Sequence, residues 1–332
     1  MRLQLGYVPL CDAAPLIAAH ELGFARAEGL DLDLTAEPSW ATLRDRLALG
    51  HLDGAHMLAP LALASRLALS GPPSDLIVPL QLSVNGNAIT LSRGLWAAMD
   101  PASEDPTDVA RAFARVAEER ARAGRPLTLG TVHPFSCHSY QLRLFAEAGG
   151  LDPATFRTVV VPPQYSVETL ARGLVDGFCA GAPWNDVAVA AGHGRIAVQS
   201  GALAPDAPEK VLAVSERLDG AILPLVRAVA RAGRWCGDPE NRAELIHRLA
   251  RRGYLDLDAA LVGRAFAGDP NARSEPGLFL RFGASVEEPR LEDAEWLVAQ
   301  MRAAQQVRSR ALEGSAATVY RPDLYRAAAA DL

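Results

Sequence analysis

Lysine is almost missing from this sequence. Of the 33 basic residues a single one, Lys210, is lysine, and arginine fills every other basic position. Arginine carries a broad planar fork of donors, lysine a compact charge on a thin stem. A chain that has given up lysine elsewhere has reason to keep it where the fork does not fit, as in a small closed anion site. A surface lysine left over by chance is the plainer alternative. The other scarcities exclude whole classes. The four cysteines, Cys11, Cys137, Cys179 and Cys236, are scattered without a C-x-x-C pair, which rules against a disulfide frame or a zinc knuckle. The net charge is -6 and no long basic run occurs, which argues against direct nucleic-acid binding. No apolar run reaches membrane-spanning length before Arg, Glu, His or Pro interrupts it. No basic n-region, apolar h-region or cleavage site precedes the first strand-like residues, from which a cytoplasmic protein is expected. There is no P-loop, no G-x-G-x-x-G after a strand, no G-x-S-x-G and no H-E-x-x-H, and an enzyme is not expected.

What is present is enough apolar mass for two cores: 332 residues, 49% hydrophobic and 22% charged,. Strand-like residues 2–8 precede a helix from Ala13 to about Glu28, with Asp12 placed to cap it. Residues 31–36 alternate as a half-buried strand. Ser39 opens a helix ending near Gly50, Asp53 to Met57 is a short strand, Pro60 starts another helix, and Leu76 to Leu82 is a strand. This alternation with short loops predicts an α/β protein with largely parallel sheets. Asn85-Gly86-Asn87 breaks the rhythm as a turn followed by a β-rich run, the expected crossing into a second lobe. Met99 to Arg125 reads as a polar loop and an exposed helix. The pattern then restarts, with strands at 127–131, 158–161 and 176–180 separated by helices, and short strands at 196–199 and 211–215 that lead back. From Leu218 the chain is helical by periodicity, with breaks at 237–239 and near 268–270, a loop over 271–290 and a long helix from Leu291 to about Leu312.

One segment is echoed. Leu47 to Gly54 and Leu170 to Gly177 both read L-A-x-G-x-[LV]-D-G, each at a helix end turning into a strand. Both fall at the same place in their strand–helix series. That points to two similarly built lobes, each presenting helix N-termini, with their unpaired N–H groups, toward a shared cleft.

Several stretches could carry chemistry, each with a plainer reading. Ser39-Trp40-Ala41-Thr42 is an N-cap beside a core tryptophan, or a set of backbone donors with an indole wall. Asn85-Gly86-Asn87 is an ordinary turn unless it lines the cleft. His133 to His138 joins a strand to a helix, where α/β lobes bind ligands, and His138 could donate to an anion. Cys137 beside His138 is weak ground for a thiol nucleophile, because sequence neighbours do not make a nucleophile–base pair. His20, His51, His56, His193 and His247 have no metal spacing and read as structural or solvated. Val161-Pro162-Pro163-Gln164-Tyr165 and Gly181-Ala182-Pro183-Trp184-Asn185 are further strand-to-helix turns.

Taken together, Gly6 to Leu10 with Asp12 to Leu16, Ser39 to Thr42, Asp53 to His56, Asn85 to Ala88, His138, Val160 to Pro163, Phe178 to Asn185 and Pro208 to Lys210 resemble the nitrate-binding family of periplasmic-type solute-binding proteins. The resemblance runs from Gly6 to about Trp235 and more loosely beyond. It implies a two-lobed, periplasmic-binding-protein-like (type II) fold with an anion held between lobes. The implied division is 1–88 plus 215–332 for the first lobe and 89–214 for the second. It implies a ligand site of Trp40, Asn87, His138 and Lys210, with Gly86, Pro163 and Gly181 around it, and no cofactor. Bicarbonate-binding relatives carry an acidic residue where this chain has Lys210. Two positions depart from the family pattern: Asn87 stands where glutamine is usual, so that contact is a methylene short, and Ala182 replaces a glutamate. Within the family the chain looks like the cytoplasmic nitrate/nitrite sensors, which hold an RNA-binding antiterminator of the ANTAR type and release it when the anion binds. The alternative is the substrate-binding component of an anion ABC transporter. Enzymes forming the thiamine pyrimidine share this architecture but need a cysteine-rich motif that this chain does not have.

Overall fold

The computed structural model describes residues 1–267, 279–307 and 314–332. Eleven strands form among them: β1 (Arg2–Tyr7), β2 (Asp31–Ala36), β3 (Gly54–Leu58), β4 (Leu76–Asn85), β5 (Asn87–Ser92), β6 (Thr128–Thr131), β7 (Arg157–Val160), β8 (Gly177–Gly181), β9 (Gly194–Gln199), β10 (Pro208–Ser215) and β11 (Leu280–Arg281). They make two sheets, in the orders β11-β4-β10-β3-β1-β2 and β7-β6-β8-β5-β9. Each sheet has a parallel set of three strands, β2-β1-β3 and β7-β6-β8, and then a strand arriving from the other lobe that runs antiparallel, β10 in the first and β5 in the second. The two lobes are therefore built on one plan.

The echoed segment has a structural cause in each lobe. Gly50 and Gly173 end their helices at φ of 74° and 67°, the left-handed region where glycine has no Cβ penalty. Asp53 then accepts from the Gln4 N–H at 2.7 Å, and Asp176 accepts from the Thr128 N–H at 2.8 Å. Each aspartate ties the third strand of its lobe to the start of the first. Gly54 and Gly177 follow where a Cβ would come within 3.0 Å and 2.6 Å of a neighbouring leucine side chain. The repeat is thus a helix stop, a cross-strand tether and a close approach in succession.

Several expectations change. The helix expected from Ala13 to Glu28 is two, Ala14–Glu21 and Phe24–Ala27, because Gly23 turns left-handed between them at φ 79°. Asp12 caps neither; it sits in a short 3-10 turn, Cys11–Ala13, with its carboxylate directed elsewhere. The exposed helix expected before Arg125 is Pro106–Arg122 and is half-buried, with Val109, Phe113, Val116 and Ala117 in the second lobe's core. The second lobe begins at Asn87, with β5, rather than at 89. The return crossing lies between Gln199 and Pro208, not at 214, because β10 pairs along its length with β3 and β4 of the first sheet. A short strand, β11, appears within the segment read as a loop and pairs with the end of β4. The last long helix is Leu291–Ala303; its expected end at Leu312 and the break at 268–270 lie outside the described residues. Among the described residues no helix is long and apolar enough to cross a membrane.

The lobes meet over the cleft. The Cys11 N–H donates to the Ala182 carbonyl at 2.9 Å, and the Gln164 side chain donates to the Pro38 carbonyl at 2.8 Å. Tyr140 of the second lobe donates to the Gln306 side-chain oxygen at 2.9 Å, and the Gln306 amide reaches the Pro134 carbonyl at 2.8 Å. Trp184 packs against apolar side chains of both lobes.

Candidate anion-binding site

Lys210 is fully buried. It lies on β10 opposite Leu58 of β3 and Ser83 of β4, and the β4 register shifts on both sides of it. Such a bulge re-aims side chains that would otherwise alternate between faces. Glu209 and Lys210 are consecutive, yet Glu209 Oε2 stands 3.7 Å from Lys210 Nζ. The main counter-charge is Asp12, whose Oδ2 is 2.9 Å from Nζ, while its Oδ1 is 2.9 Å from His56 Nε2. The buried Asp12 carboxylate thus bridges Lys210 and His56.

Four of the expected ligand residues lie around this cation. Ser39 does cap the helix Trp40–Ala48, accepting from the Thr42 N–H at 3.1 Å. Trp40 follows it, fully buried, with the Lys210 ammonium 5.8 Å from its ring centre and the His56 ring at 5.3 Å. His138 enters from the first turn of the helix Cys137–Ala148, capped by Ser136, and is fully buried. Asn87 opens β5 directly opposite Gly181 at the end of β8. A Cβ on Gly181 would lie 3.4 Å from Asn87 Oδ1 and 3.5 Å from Asp12 Oδ2, so a side chain there would intrude among them. Gly86 makes the crossing turn at φ 87°, and its carbonyl accepts from the Ala182 N–H at 2.9 Å. Pro163 is buried in the turn Pro163–Tyr165, whose Gln164 reaches the segment before Trp40. It supports the cleft rim, and no contact from it to Lys210 is seen.

The charges are unevenly distributed. Burial alone would raise Asp12, but Lys210 and His56 outweigh it and hold its carboxyl below the usual carboxylate range. Burial pushes Glu209 up to about 7 in spite of Lys210 beside it. Burial lowers His56 although Asp12 opposes this, and burial followed by Lys210 lowers His138 well below the ordinary histidine value. His138 is therefore a neutral ring at neutral pH, able to donate from one nitrogen. Burial raises the thiol of Cys137, whose Sγ donates to the Pro208 carbonyl at 3.1 Å. It is a protonated core thiol with none of the activation a nucleophile needs. Among the described residues no three His, Cys, Asp or Glu side chains converge as metal ligands would.

The chemistry on offer is recognition. Beside Lys210, Trp40 Nε1, both ring nitrogens of His138 and Asn87 Oδ1 are buried without a hydrogen-bond partner from the protein. Buried polar groups are ordinarily satisfied, and one such group costs about 1–3 kcal/mol. Several around one lysine mark a place built for a small polar guest. Sequence reasoning missed Asp12, His56, Gln141 and Glu209. Asp12 reads as a helix cap and His56 as an isolated histidine; adjacency to Lys210 was the one signal for Glu209.

Two lobes of one plan, crossed twice by the chain and shut over an enclosed polar centre, are the fold of periplasmic-type solute-binding proteins. The chain belongs to the NMT1-like family, whose model matches residues 1–250. It is 34% identical over 273 residues to the nitrate import ATP-binding protein NrtC of Synechocystis sp., covering 80% of this chain and 39% of that protein. It is 33% identical over 319 residues to the bicarbonate transport ATP-binding protein CmpC of the same organism, covering 91% and 45%. With the nitrate/nitrite binding protein NrtA, also of Synechocystis sp., it shares 32% over 266 residues, covering 76% and 57%. The chain spans about half the length of the curated relatives it matches. The crystal structure of the periplasmic nitrate-binding protein NrtA from Synechocystis PCC 6803 superimposes with a TM-score of 0.89 at 28% identity, over 100% of this chain and 89% of that one. The alkanesulfonate-binding protein SsuA from Xanthomonas axonopodis pv. citri shares the fold, with a TM-score of 0.69 at 16% identity over 95% and 97% of the two chains.

Proposed function

We propose that this chain binds nitrate or nitrite between its lobes and acts in the cytoplasm as a sensor. Without the anion it holds an RNA-binding antiterminator of the ANTAR type, and with the anion it releases it, as the sensor NasS does. The observation that supports the anion is the set of unpartnered buried polar groups beside Lys210, contributed by both lobes, with Trp40 Nε1 and one His138 nitrogen as donors. Trp40 and Lys210 belong to the first sheet's side, and His138 and Asn87 to the second. A ligand shifts an open–closed equilibrium only by its differential affinity for the two forms, and an anion touched from both lobes has that preference for the closed one. Nitrate is favoured over bicarbonate by the cation at position 210. The regulatory role is carried over from the expectation of a cytoplasmic member of the family.

A second reading, the substrate-binding component of a nitrate ABC transporter, is favoured by what the relatives do: NrtA binds nitrate and nitrite, and NrtC serves nitrate import. Calorimetric titration with nitrate, nitrite, bicarbonate and an alkanesulfonate tests the ligand. Co-elution with the antiterminator, with and without roughly millimolar nitrate, tests the sensor. Nitrate-sensitive co-elution is expected. Co-elution indifferent to nitrate, or none, leaves the transport reading.

A further inference from the structure

Behind the ligand-facing residues lie two amides and a carboxylate in series. Asn87 Nδ2 donates to Gln141 Oε1 at 3.1 Å, and Gln141 Nε2 donates in a short contact to Glu209 Oε1. The three come from β5, the helix Cys137–Ala148 and β10, and all are buried. An ionised carboxylate can only accept, so it dictates the direction of the whole chain. Gln141 must turn its nitrogen to Glu209. Its oxygen must then accept from Asn87, and Asn87 is left with Oδ1, an acceptor without a protein partner, on the side of Gly181 and Asp12. A proton on Glu209 Oε1, the oxygen that faces Gln141, allows every link to reverse, with the Cys179 thiol, 3.5 Å from Gln141 Oε1, turning from that oxygen,. The carboxyl O–H donates to Gln141 Oε1, Gln141 Nε2 donates to Asn87 Oδ1, and Asn87 Nδ2 becomes the free group.

The two directions suit different guests. Nitrate has lone pairs and no proton, so it meets a repulsive acceptor in the first arrangement and a donor in the second. An anion carrying its own O–H, such as hydrogencarbonate, suits the first. We infer that Glu209 sets the specificity of this site: relayed through Gln141, its protonation decides which face Asn87 offers, so that an acceptor-only anion enters together with one proton. The inference rests on the anion-binding reading above. The proton comes from solvent and stays on the Glu209 carboxyl while the anion is bound; only one O–H bond forms.

The groups facing Glu209 permit both states. Lys210 on its own strand favours the carboxylate, and Asp12 from the Cys11–Ala13 turn opposes it. Cys137 from the helix and Cys179 from β8 face it as thiols that burial keeps protonated. Gln141 and Asn87 complete the shell. Burial is the largest influence and leaves the carboxyl titrating near neutrality. An anion beside it raises it further, and linkage makes the effect reciprocal: the proton tightens the anion as the anion tightens the proton.

The test is nitrate calorimetry on the full chain at pH 8 in HEPES and in Tris, whose ionisation heats differ, with affinities followed from pH 6 to pH 8.5. About one proton taken up per nitrate is expected at pH 8. Affinity should fall about tenfold per pH unit above the range where Glu209 titrates and flatten below it. Glu209→Gln, whose amide N–H can donate toward Gln141 at any pH, should bind nitrate more tightly than the wild type at pH 8, with a flat profile and no proton uptake. Hydrogencarbonate, if bound at pH 8, should take up none. Zero proton uptake with a flat wild-type profile overturns the inference, and so does a Glu209→Gln variant that keeps the wild-type slope, which would assign the proton to another group such as His138. No nitrate binding to the wild type at any pH instead overturns the anion-binding reading beneath it.

Discussion

Replacing Lys210 by methionine keeps the length and much of the volume of the stem and removes the charge. Asp12, 1% exposed, is left with the His56 ring at 2.9 Å, which burial disfavours as a cation, and without its lysine. Removing one partner of a buried ion pair costs about 3–5 kcal/mol, because the other charge stays unpaired away from water. Lys210→Met should therefore lower the free energy of urea unfolding at pH 7 by about that much. Replacing both partners, Asp12→Asn with Lys210→Met, should recover at least about 2 kcal/mol of the loss, the coupling of a pair in direct contact. The pH dependence gives a further check. In the wild type the Asp12 carboxyl is held below its ordinary value, so the pair's stabilisation is present above the unfolded value and is lost as pH falls through the folded one. In Lys210→Met the carboxyl rises instead, so the deficit should shrink as pH is lowered toward 4. Nitrate affinity should fall by about 2 kcal/mol or more in the variant. Lys210→Arg should weaken it too, since the guanidinium must fit between the Trp40 ring and Asp12. The reasoning fails if Lys210→Met unfolds within about 1 kcal/mol of the wild type at pH 7, or if the double variant is as unstable as the sum of the singles.

Two other outcomes follow from the geometry. His138→Phe should weaken nitrate binding by about 1.5–3 kcal/mol, the loss of a donor to a charged acceptor. Because burial keeps this ring neutral, the variant should retain the wild-type slope of affinity against pH; titrations from pH 6 to pH 8.5 check both. Asp53→Ala and Asp176→Ala should each cost about 1 kcal/mol through the lost tether to a first-strand N–H,. Faster amide exchange at Gln4 in the first and at Thr128 in the second would show that each loss is confined to its own lobe, and equal changes at both sites would refute the two-lobe reading of the repeat.

Much of the plan is local, and local chemistry is legible in a sequence. Strand–helix alternation, the Ser39 cap and the left-handed turns at Gly50 and Gly173 depend on residues within one turn of each other. The same holds for the paired aspartate segments, whose spacing repeats even though their tethers reach another strand. Lys210 showed itself through composition, because a lone lysine among arginines marks a place where the shape of the charge matters. His138 stood out at a strand-to-helix junction, where an α/β lobe binds its ligand, whereas Trp40 and Asn87 read locally as a core residue and a turn and were singled out by the family resemblance.

What surrounds the lysine was not legible. Asp12 sits before a helix, and the spacing assigns it a cap; only the approach of β10 to that turn makes it the counter-ion of Lys210. Gln141 lies 54 positions from Asn87 and 68 from Glu209, in a helix whose polar residues all read alike until the lobes close. The bulge that brings Glu209 and Lys210 to one side is set by pairing with β4, which neither residue encodes by itself. Sequence alone determined the elements, their repeat and the residue types available for an anion. The tertiary structure decided which charges are buried together, because desolvation and pairing act through space among side chains that the chain brings from both lobes.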